Sequence, residues 1–190
     1  MSMADFGRNF IDMYGNQAVK DLTAEVNRRL NLCDRQTAVG EVFYGLSPEH
    51  AKDIERLTGS SWVSHASSGE FGDDTQILLK SDTDIPEKLE NHLVWFYSKV
   101  DPDVVLKNAY DTEHGDFYGA RFKIVRNGKI FTFHRRKVIQ GSVLFDSDED
   151  RSESDITWEE FYDGKYDLTQ EVRTELVAQY PSTDKYVDAR

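Results

Sequence analysis

Residues 104–136 read VVLKNAYDTEHGDFYGARFKIVRNGKIFTFHRR and contain the strongest strand and turn signals of the chain. Its apolar and aromatic residues fall into three short runs, 104–110, 117–126 and 129–136, which predict three consecutive strands. Between the last two runs stands Asn127-Gly128, a pair that adopts the positive φ angles of a two-residue hairpin turn. We therefore expect an antiparallel sheet in which these strands are neighbours.

Two segments upstream of this stretch have the apolar spacing of amphipathic helices. Residues 17–32 place apolar side chains every three or four positions, and a first strand is predicted before them, over 6–14. A second helix is predicted after Asp84-Ile85-Pro86-Glu87, which has the pattern of a capping box. Its apolar face must cover a sheet. That face is expected to consist of Leu89, Leu93, Phe96, Tyr97 and Val100.

The region between these two helices predicts smaller elements. Residues 41–45 have the composition of a short strand, and Ser47-Pro48-Glu49 predicts the start of a short helix that ends at Gly59. Residues 62–65 and 76–80 predict two paired strands joined by a polar loop. The whole pattern predicts an α+β fold in which helices are layered on an antiparallel sheet.

The charge of the chain divides it into a body and a tail. The formal net charge is -12, of which residues 146–190 contribute -9, from 14 acidic and 5 basic residues. Residues 146–155 contain no apolar side chain and predict a linker. The apolar residues beyond them predict one or two helices that end at Pro181. We expect an α+β body over 1–145 and an acidic linker with a helical tail over 146–190.

Several short signals occur together between about residues 60 and 137. From Trp62 the predicted order is strand, strand, helix and three strands, with Asp101-Pro102-Asp103 after the helix and Phe117-Tyr118-Gly119 before the Asn127-Gly128 hairpin. This order resembles the ferredoxin-like domain of the YubB-type proteins of plasmids and tailed phages. The resemblance implies a ferredoxin-like antiparallel sheet and an origin in a mobile element, and it brings no catalytic residues with it.

The sequence contains no recognisable catalytic motif. It has no Gly-rich phosphate loop, dinucleotide fingerprint, paired-cysteine motif or nucleophile elbow, and Cys33 is its only cysteine. The alternating aspartates of 146–150 imitate the start of a calcium loop, but Arg151 and Thr157 replace the required Gly and Glu. We expect no metal, no cofactor and no enzyme activity, although an acid–base pair assembled only in the fold remains an open alternative.

The predicted hairpin opposes the overall acidity of the chain. Residues 121–137 contain seven cations and no carboxylate, with Phe122, Phe131 and Phe133 between them. On an open sheet face such aromatic rings stack on bases while cations contact phosphates. Strand alternation favours instead phenylalanines under the helices and cations paired with the acidic tail. The candidate residues for single-stranded RNA binding are Arg121, Lys123, Arg126, Lys129, Arg135, Arg136 and Lys137.

The acidic tail is the second candidate surface. Carboxylates along a folded helix imitate the phosphate track of DNA and could occupy a basic groove of another protein, and a merely solvated helix face is the alternative. The favoured hypothesis is a non-enzymatic, phage- or plasmid-encoded accessory protein that binds a host macromolecule and thereby inhibits a host defence system. The candidate contact residues are Trp158, Glu159, Glu160, Tyr162, Asp163, Tyr166, Asp167, Glu171 and Glu175.

The expected location of the protein is the cytoplasm, which would be the host cytoplasm for a phage-encoded chain. No apolar run approaches the roughly 20 residues needed to cross a bilayer. The first residues also lack a basic region followed by an apolar stretch, the pattern of a secretion signal.

Overall fold

A computed structural model describes residues 6–50, 55–58, 60, 63–66, 76–82, 86–146 and 148–187. These residues form a mixed α+β structure around an antiparallel sheet. The strands are β1 Gly7–Tyr14, β2 Val63–His65, β3 Ile77–Ser81, β4 Val105–Thr112, β5 Phe117–Arg126, β6 Lys129–Val138, β7 Val143–Leu144 and β8 Ile156–Thr157. The helices are α1 Gln17–Leu32, α2 Ala38–Tyr44, α3 Glu55–Thr58, α4 Glu87–Ser98 and α5 Trp158–Gln179, followed by the 3₁₀ turn Pro181–Thr183.

The main sheet described has six strands in the order β2-β3-β1-β4-β5-β6. Every neighbouring pair in it is antiparallel, so β1 lies between β3 and β4, with Ile11 opposite Ile77 on one side and Asn108 on the other. The β5–β6 hairpin is confirmed, because Asn127 and Gly128 have φ angles of 51° and 71° and Arg126 is paired with Lys129. The Asn-Gly pair thus forms the predicted turn.

Each face of the sheet carries its own apolar core. On one face, α1 and α4 bury Val19, Leu30 and Leu93 together with Ile11 and Leu79 of the sheet. On the other face, α5 closes over the second half of the sheet. This smaller core contains Val105, Ala120, Phe122, Ile124, Phe133, Val172, Leu176 and Val187. The tail helix is therefore packed against the sheet.

Helix α1 has the predicted bounds, and local chemistry explains them. The Asn16 side chain accepts a hydrogen bond from the backbone N–H of Val19 at 3.2 Å, which satisfies one free donor of the first turn. Val19, Val26 and Leu30 point into the core at helical spacing. The predicted strands at 62–65 and 76–80 also pair, as β2 and β3.

The prediction of a strand over 41–45 is wrong, because residues 38–44 form helix α2. Glu41 to Tyr44 have the composition of a strand, but Ala38 and Val39 are fully buried by helical packing. Gly45 ends the helix with φ 63°, the left-handed conformation typical of a residue after a helix. Gly45 could have indicated the end of a helix at this position in the sequence.

The two other predicted helices differ in detail from the structure. The short helix predicted to end at Gly59 is described only over Glu55–Thr58, and residues 48–50 form a turn. The capping residue predicted for α4, Asp84, lies outside the described residues. Phe96 and Val100, predicted on the buried face of α4, are 43% and 40% exposed, because Glu90 and Val94 occupy that face instead.

The acidic segment predicted as a linker is tied at both ends. The short strands β7 and β8 pair in parallel on either side of it. Asp155 adds two anchors by accepting from the backbone N–H groups of Ser142 and Ser152, at 2.7 and 2.8 Å. The tail that follows forms the single helix α5, and Pro181 begins the turn after it, as predicted.

Candidate functional site

Helix α5 begins at a complete capping box. The Thr157 hydroxyl accepts from the backbone N–H of Glu160 at 3.2 Å, and the Glu160 carboxylate accepts from the backbone N–H of Thr157 at 2.7 Å. A carboxylate is also favoured here by the positive end of the helix dipole. Arg151 holds the same carboxylate at 3.0 Å. Glu160, one of the predicted contact residues, therefore has a structural role at the helix start.

Apolar side chains fix α5 to the sheet along its length. Phe161, Val172 and Leu176 are fully buried. Gly164 allows the closest approach, since a Cβ atom at this position would collide with the hydroxyl of Tyr118. Because each buried apolar side chain contributes about 1.5–3 kcal/mol, three of them are enough to hold the helix in one position.

A buried ion-pair cluster lies under the first half of α5. Lys165 Nζ is 2.8 Å from Asp111 Oδ2, and Arg8 Nε is 2.5 Å from Asp111 Oδ1, with the Asp111 side chain fully buried. Burial lowers the pKa of Lys165, and the nearby Asp111 carboxylate opposes that shift. The Lys165 ammonium also lies over the ring of Phe10, 4.3 Å from its centroid. This cluster fixes the rotation of α5 about its own axis.

The outward side of α5 is acidic. Glu159, Asp163 and Asp167 follow one another at four-residue spacing, and all three are exposed. Residues at this spacing lie on one face of a helix, about 6 Å apart along the axis. Glu171 and Glu175 continue the acidic surface and meet Arg135 of β6 at 3.2 and 3.5 Å. We call these five carboxylates the acidic face of α5.

A shallow open groove of about 800 Å³ runs beside the acidic face. It is lined by Arg135, Asp167, Gln170, Glu171, Thr174, Glu175 and Ala178. The groove is therefore bounded by three carboxylates and one cation, and its other lining residues are uncharged. Such a lining suits an entering lysine or arginine side chain better than an anion.

The aromatic residues predicted at the contact surface lie at one flank of the acidic face. Tyr162 and Tyr166 are 46% and 50% exposed. Trp158 is half-buried and stacks on Tyr162, with ring centroids 5.6 Å apart. Its indole Nε1 is buried without a hydrogen-bond partner among the described residues. All nine predicted contact residues thus lie on α5, and they divide into a capping residue, an acidic face and an aromatic flank.

The structure separates the predicted nucleic-acid residues of the basic hairpin. Arg121 and Lys123 point to the α4 side of the sheet, where Arg121 Nη1 meets Glu90 Oε2 at 2.8 Å and Lys123 Nζ meets Asn91 Oδ1 at 2.7 Å. Both side chains are buried. Arg126 Nη2 lies 3.2 Å from Asp103 Oδ1.

Arg135 is held by the acidic face, as described above, so four of the seven predicted cations have carboxylate or buried partners. Lys129, Arg136 and Lys137 remain exposed on β6. The interpretation favoured for this hairpin holds only in part. Phe122 and Phe133 are buried and Arg135 pairs with the tail helix, but Phe131 is 37% exposed. Arg121, Lys123 and Arg126 pair outside the tail.

Sequence reasoning missed a buried polar network between α4 and the sheet. Asn108 Nδ2 donates to Glu90 Oε1 at 2.7 Å and to Asn9 Oδ1 at 2.9 Å. Next to it, the hydroxyl of Tyr110 is 2.5 Å from His134 Nε2. Burial raises the pKa of Tyr110 to about 12, and burial with the nearby Arg121 lowers the pKa of His134 to about 4. The sequence signal for this network was Glu90, a carboxylate that stands next to Leu89 and Leu93 on the buried face of the helix.

Within the described ranges, no group of three or more His, Cys, Asp or Glu side chains could hold a metal ion. Among the helices described, none is both long and apolar enough to cross a membrane. No protein-family model, curated protein or solved structure matches the chain. The resemblance to YubB-type proteins therefore stays a prediction.

Proposed function

We propose that the protein is a non-enzymatic, phage- or plasmid-encoded accessory protein that binds a host protein through the acidic face of α5. The observation that carries the proposal is the rigid docking of a helix whose outward side bears Glu159, Asp163, Asp167, Glu171 and Glu175. A helix already held in one orientation presents its charges without a further cost of backbone ordering on binding. The partner surface that fits this face is basic.

A nucleic-acid-binding defence protein is the class of partner that this surface suits. Its basic groove normally neutralises phosphates, and a row of carboxylates on a rigid helix supplies negative charge in a similar line. Long-range attraction between the two surfaces would also speed their encounter. Occupying the groove would prevent the defence protein from binding its own nucleic acid, which is the inhibitory action within this proposal.

We also propose that β1 to β4 form a ferredoxin-like unit. The chain runs strand, helices, two strands, helix and strand from β1 to β4, and these four strands lie in the order β2-β3-β1-β4. A split βαβ arrangement of this kind defines the ferredoxin-like motif. Strands β5 and β6 then extend the sheet beyond β4, and α5 covers that extension. The arrangement supports the expected ferredoxin-like sheet, but over Gly7 to Thr112 and not over residues 60–137.

The proposal is tested by comparing two variants with equal loss of charge. Asp163→Asn/Asp167→Asn neutralises the acidic face, and Asp21→Asn/Glu49→Gln neutralises two exposed carboxylates elsewhere. Tagged wild-type chain is used to capture proteins from a nuclease-treated bacterial lysate. We expect the captured proteins to be lost with the first variant and retained with the second. Double-stranded DNA, added after the nuclease has been washed away, should displace them.

Equal capture by the two variants would remove the acidic face as the contact surface. Capture that added DNA does not displace would reject a nucleic-acid groove as the partner site. Both variants should unfold at the wild-type denaturant concentration, because surface substitutions of this kind change stability by less than about 0.5 kcal/mol.

Nucleic-acid binding by the basic hairpin is the second candidate. Its support is the exposure of Lys129, Arg136 and Lys137 on β6. Arg121 and Lys123 are buried in ion pairs and Arg135 is held by the acidic face, so the cationic surface has fewer members than the sequence predicted. Salt-sensitive binding of a single-stranded oligonucleotide by the full chain would support nucleic-acid binding by this hairpin.

A further inference from the structure

Strand β6 lies at one edge of the described sheet and pairs only with β5. It runs for ten residues, Lys129–Val138, and every residue has one partner in β5, from Arg126 to Phe117. Natural proteins usually shorten, bulge or cover an edge strand, since its unpaired backbone invites another strand. The β6 edge is instead long and regular.

The backbone of β6 offers a row of hydrogen-bonding groups to solvent. Ile139 N donates to Asp116 O at 2.8 Å. In this register the backbone N–H and C=O groups of the odd-numbered residues of β6 therefore point towards β5. The residues between them direct N–H and C=O outward. These are Ile130, Thr132, His134, Arg136 and Val138. In the described part of the chain, no backbone hydrogen bond involves their outward groups.

The side chains of β6 give this edge a positive charge. The strand contains Lys129, Arg135, Arg136 and Lys137 and no carboxylate. Arg135 is engaged by α5, whereas Arg136 lies over the ring of Phe117, 3.6 Å from its centroid. No ion pair joins Lys129, Arg136 or Lys137 to a carboxylate among the described residues. The unpaired positive charge is concentrated at the end of the strand that contains Arg136 and Lys137.

We propose that the β6 edge binds an extended acidic segment of a partner protein, which adds to the sheet as a further strand. In this mode the backbone hydrogen bonds give affinity and the alternating side chains give specificity. Carboxylates of the added strand pair with Arg136 on one face of the sheet and Lys137 on the other. The acidic face of α5 takes no part, so this surface is separate from the one proposed above.

Two other occupants fit the edge less well. A second copy of the chain would bring one β6 against another, and neither strand carries a carboxylate to offset their combined positive charge. A single-stranded nucleic acid would satisfy the charges, but it lacks the regular alternation of amide donors and carbonyl acceptors that the outward backbone of β6 can pair with. The combination of a free edge and a positive charge therefore favours an acidic peptide.

The test uses the full chain and a ten-residue peptide in which Glu-Glu pairs alternate with Val-Val pairs, so that both faces of the added strand carry carboxylates. Binding is followed by fluorescence anisotropy. A matched peptide carries N-methyl groups on alternate residues, so it keeps the charge and loses the hydrogen bonds of one edge. We expect it to bind about tenfold more weakly or worse. Hydrogen exchange should show new protection at the amides of Thr132, His134 and Arg136, but not at those of Phe131 and Phe133.

A pair of variants separates the β6 charges from general charge effects. Arg136→Gln/Lys137→Gln should weaken peptide binding about three- to tenfold, while Lys20→Gln/Lys99→Gln, which removes two exposed cations elsewhere, should not. Equal binding of the two peptides would overturn the proposal. So would tighter binding of an oligothymidylate of ten nucleotides, or self-association of the chain through β6 without any peptide.

Discussion

Glu90 Oε2 and Arg121 Nη1 lie 2.8 Å apart in an ion pair whose side chains are 0% and 8% exposed. The pair joins α4 to β5, and Lys123, also fully buried, lies 3.7 Å from the same carboxylate. One buried carboxylate thus faces two buried cations. Burial lowers the pKa of Lys123, and the nearby Glu90 carboxylate limits that shift. This arrangement makes Glu90 the residue on which the polar network depends.

Substituting Glu90→Gln should lower the free energy of unfolding by about 3–5 kcal/mol, because it leaves two buried cations without their main counter-charge. Glu87→Gln is the matched control, since Glu87 contacts the same Lys123 but its side chain is 56% exposed. Its cost should stay below about 1 kcal/mol. Urea unfolding measures both, and equal costs would show that the buried pair has no special role.

Gly119→Ala should destabilise the fold by about 1–3 kcal/mol, as expected for overpacking a rigid interior. An added Cβ would collide with the hydroxyl of Tyr110 and approach the carbonyl oxygen of Arg135. Tyr110→Phe in the same chain should recover little of the loss, because Cζ of the ring would still collide with the added Cβ. Gly45→Ala is the control, because nothing lies near its Cβ and only the φ of 63° opposes it. The stabilities of these variants are compared by their denaturant unfolding midpoints.

The stability of the protein should fall as the pH decreases from about 6.5 towards about 4, partly because of His134. Its folded-state pKa is lowered from 6.5 to about 4, so in this interval the unfolded chain takes up a proton that the folded chain does not. His134→Gln should make the pH dependence of unfolding shallower. A nuclear magnetic resonance titration that places the pKa of His134 near 6.5 would contradict this prediction.

Leu176→Ala should remove about 2–5 kcal/mol of stability, because it opens a cavity in the core between α5 and the sheet. Leu32→Ala, at the end of α1, is the control, since this leucine is 73% exposed and should cost less than about 0.5 kcal/mol. Thermal unfolding followed by circular dichroism compares the two. If the two variants lose equal stability, α5 is not held by the contacts described.

Local signals determined which elements could be predicted. The Asn127-Gly128 turn and the spacing of Val19, Val26 and Leu30 need no distant residue, and the structure confirms both elements. The sequence did not predict helix α2, because β-branched and aromatic residues such as Val42, Phe43 and Tyr44 favour a strand. In the structure this segment is helical, and its first residues are buried in the core. Tertiary packing therefore outweighs the local strand propensity of this segment.

The buried cations could not have been placed from the sequence. Arg121 and Lys123 stand in a hairpin with five other cations, a pattern that normally indicates an exposed surface. Their burial depends on Glu90, which is 31 residues away from Arg121 along the chain. The exposure of the acidic face was easier to predict, because Glu159, Asp163 and Asp167 lie opposite the buried Phe161 and Val172 on the helix.

The parallel pairing of β7 with β8 has a consequence for how the chain tolerates added length. Ile156 N donates to Ser142 O at 3.1 Å, so the acidic segment leaves and rejoins the fold at adjacent points. For a loop with fixed ends, each doubling of length costs only about 0.6 kcal/mol. An epitope inserted after Glu149 should therefore leave the packing of α5 intact, and homologous chains could carry segments of very different length at this point.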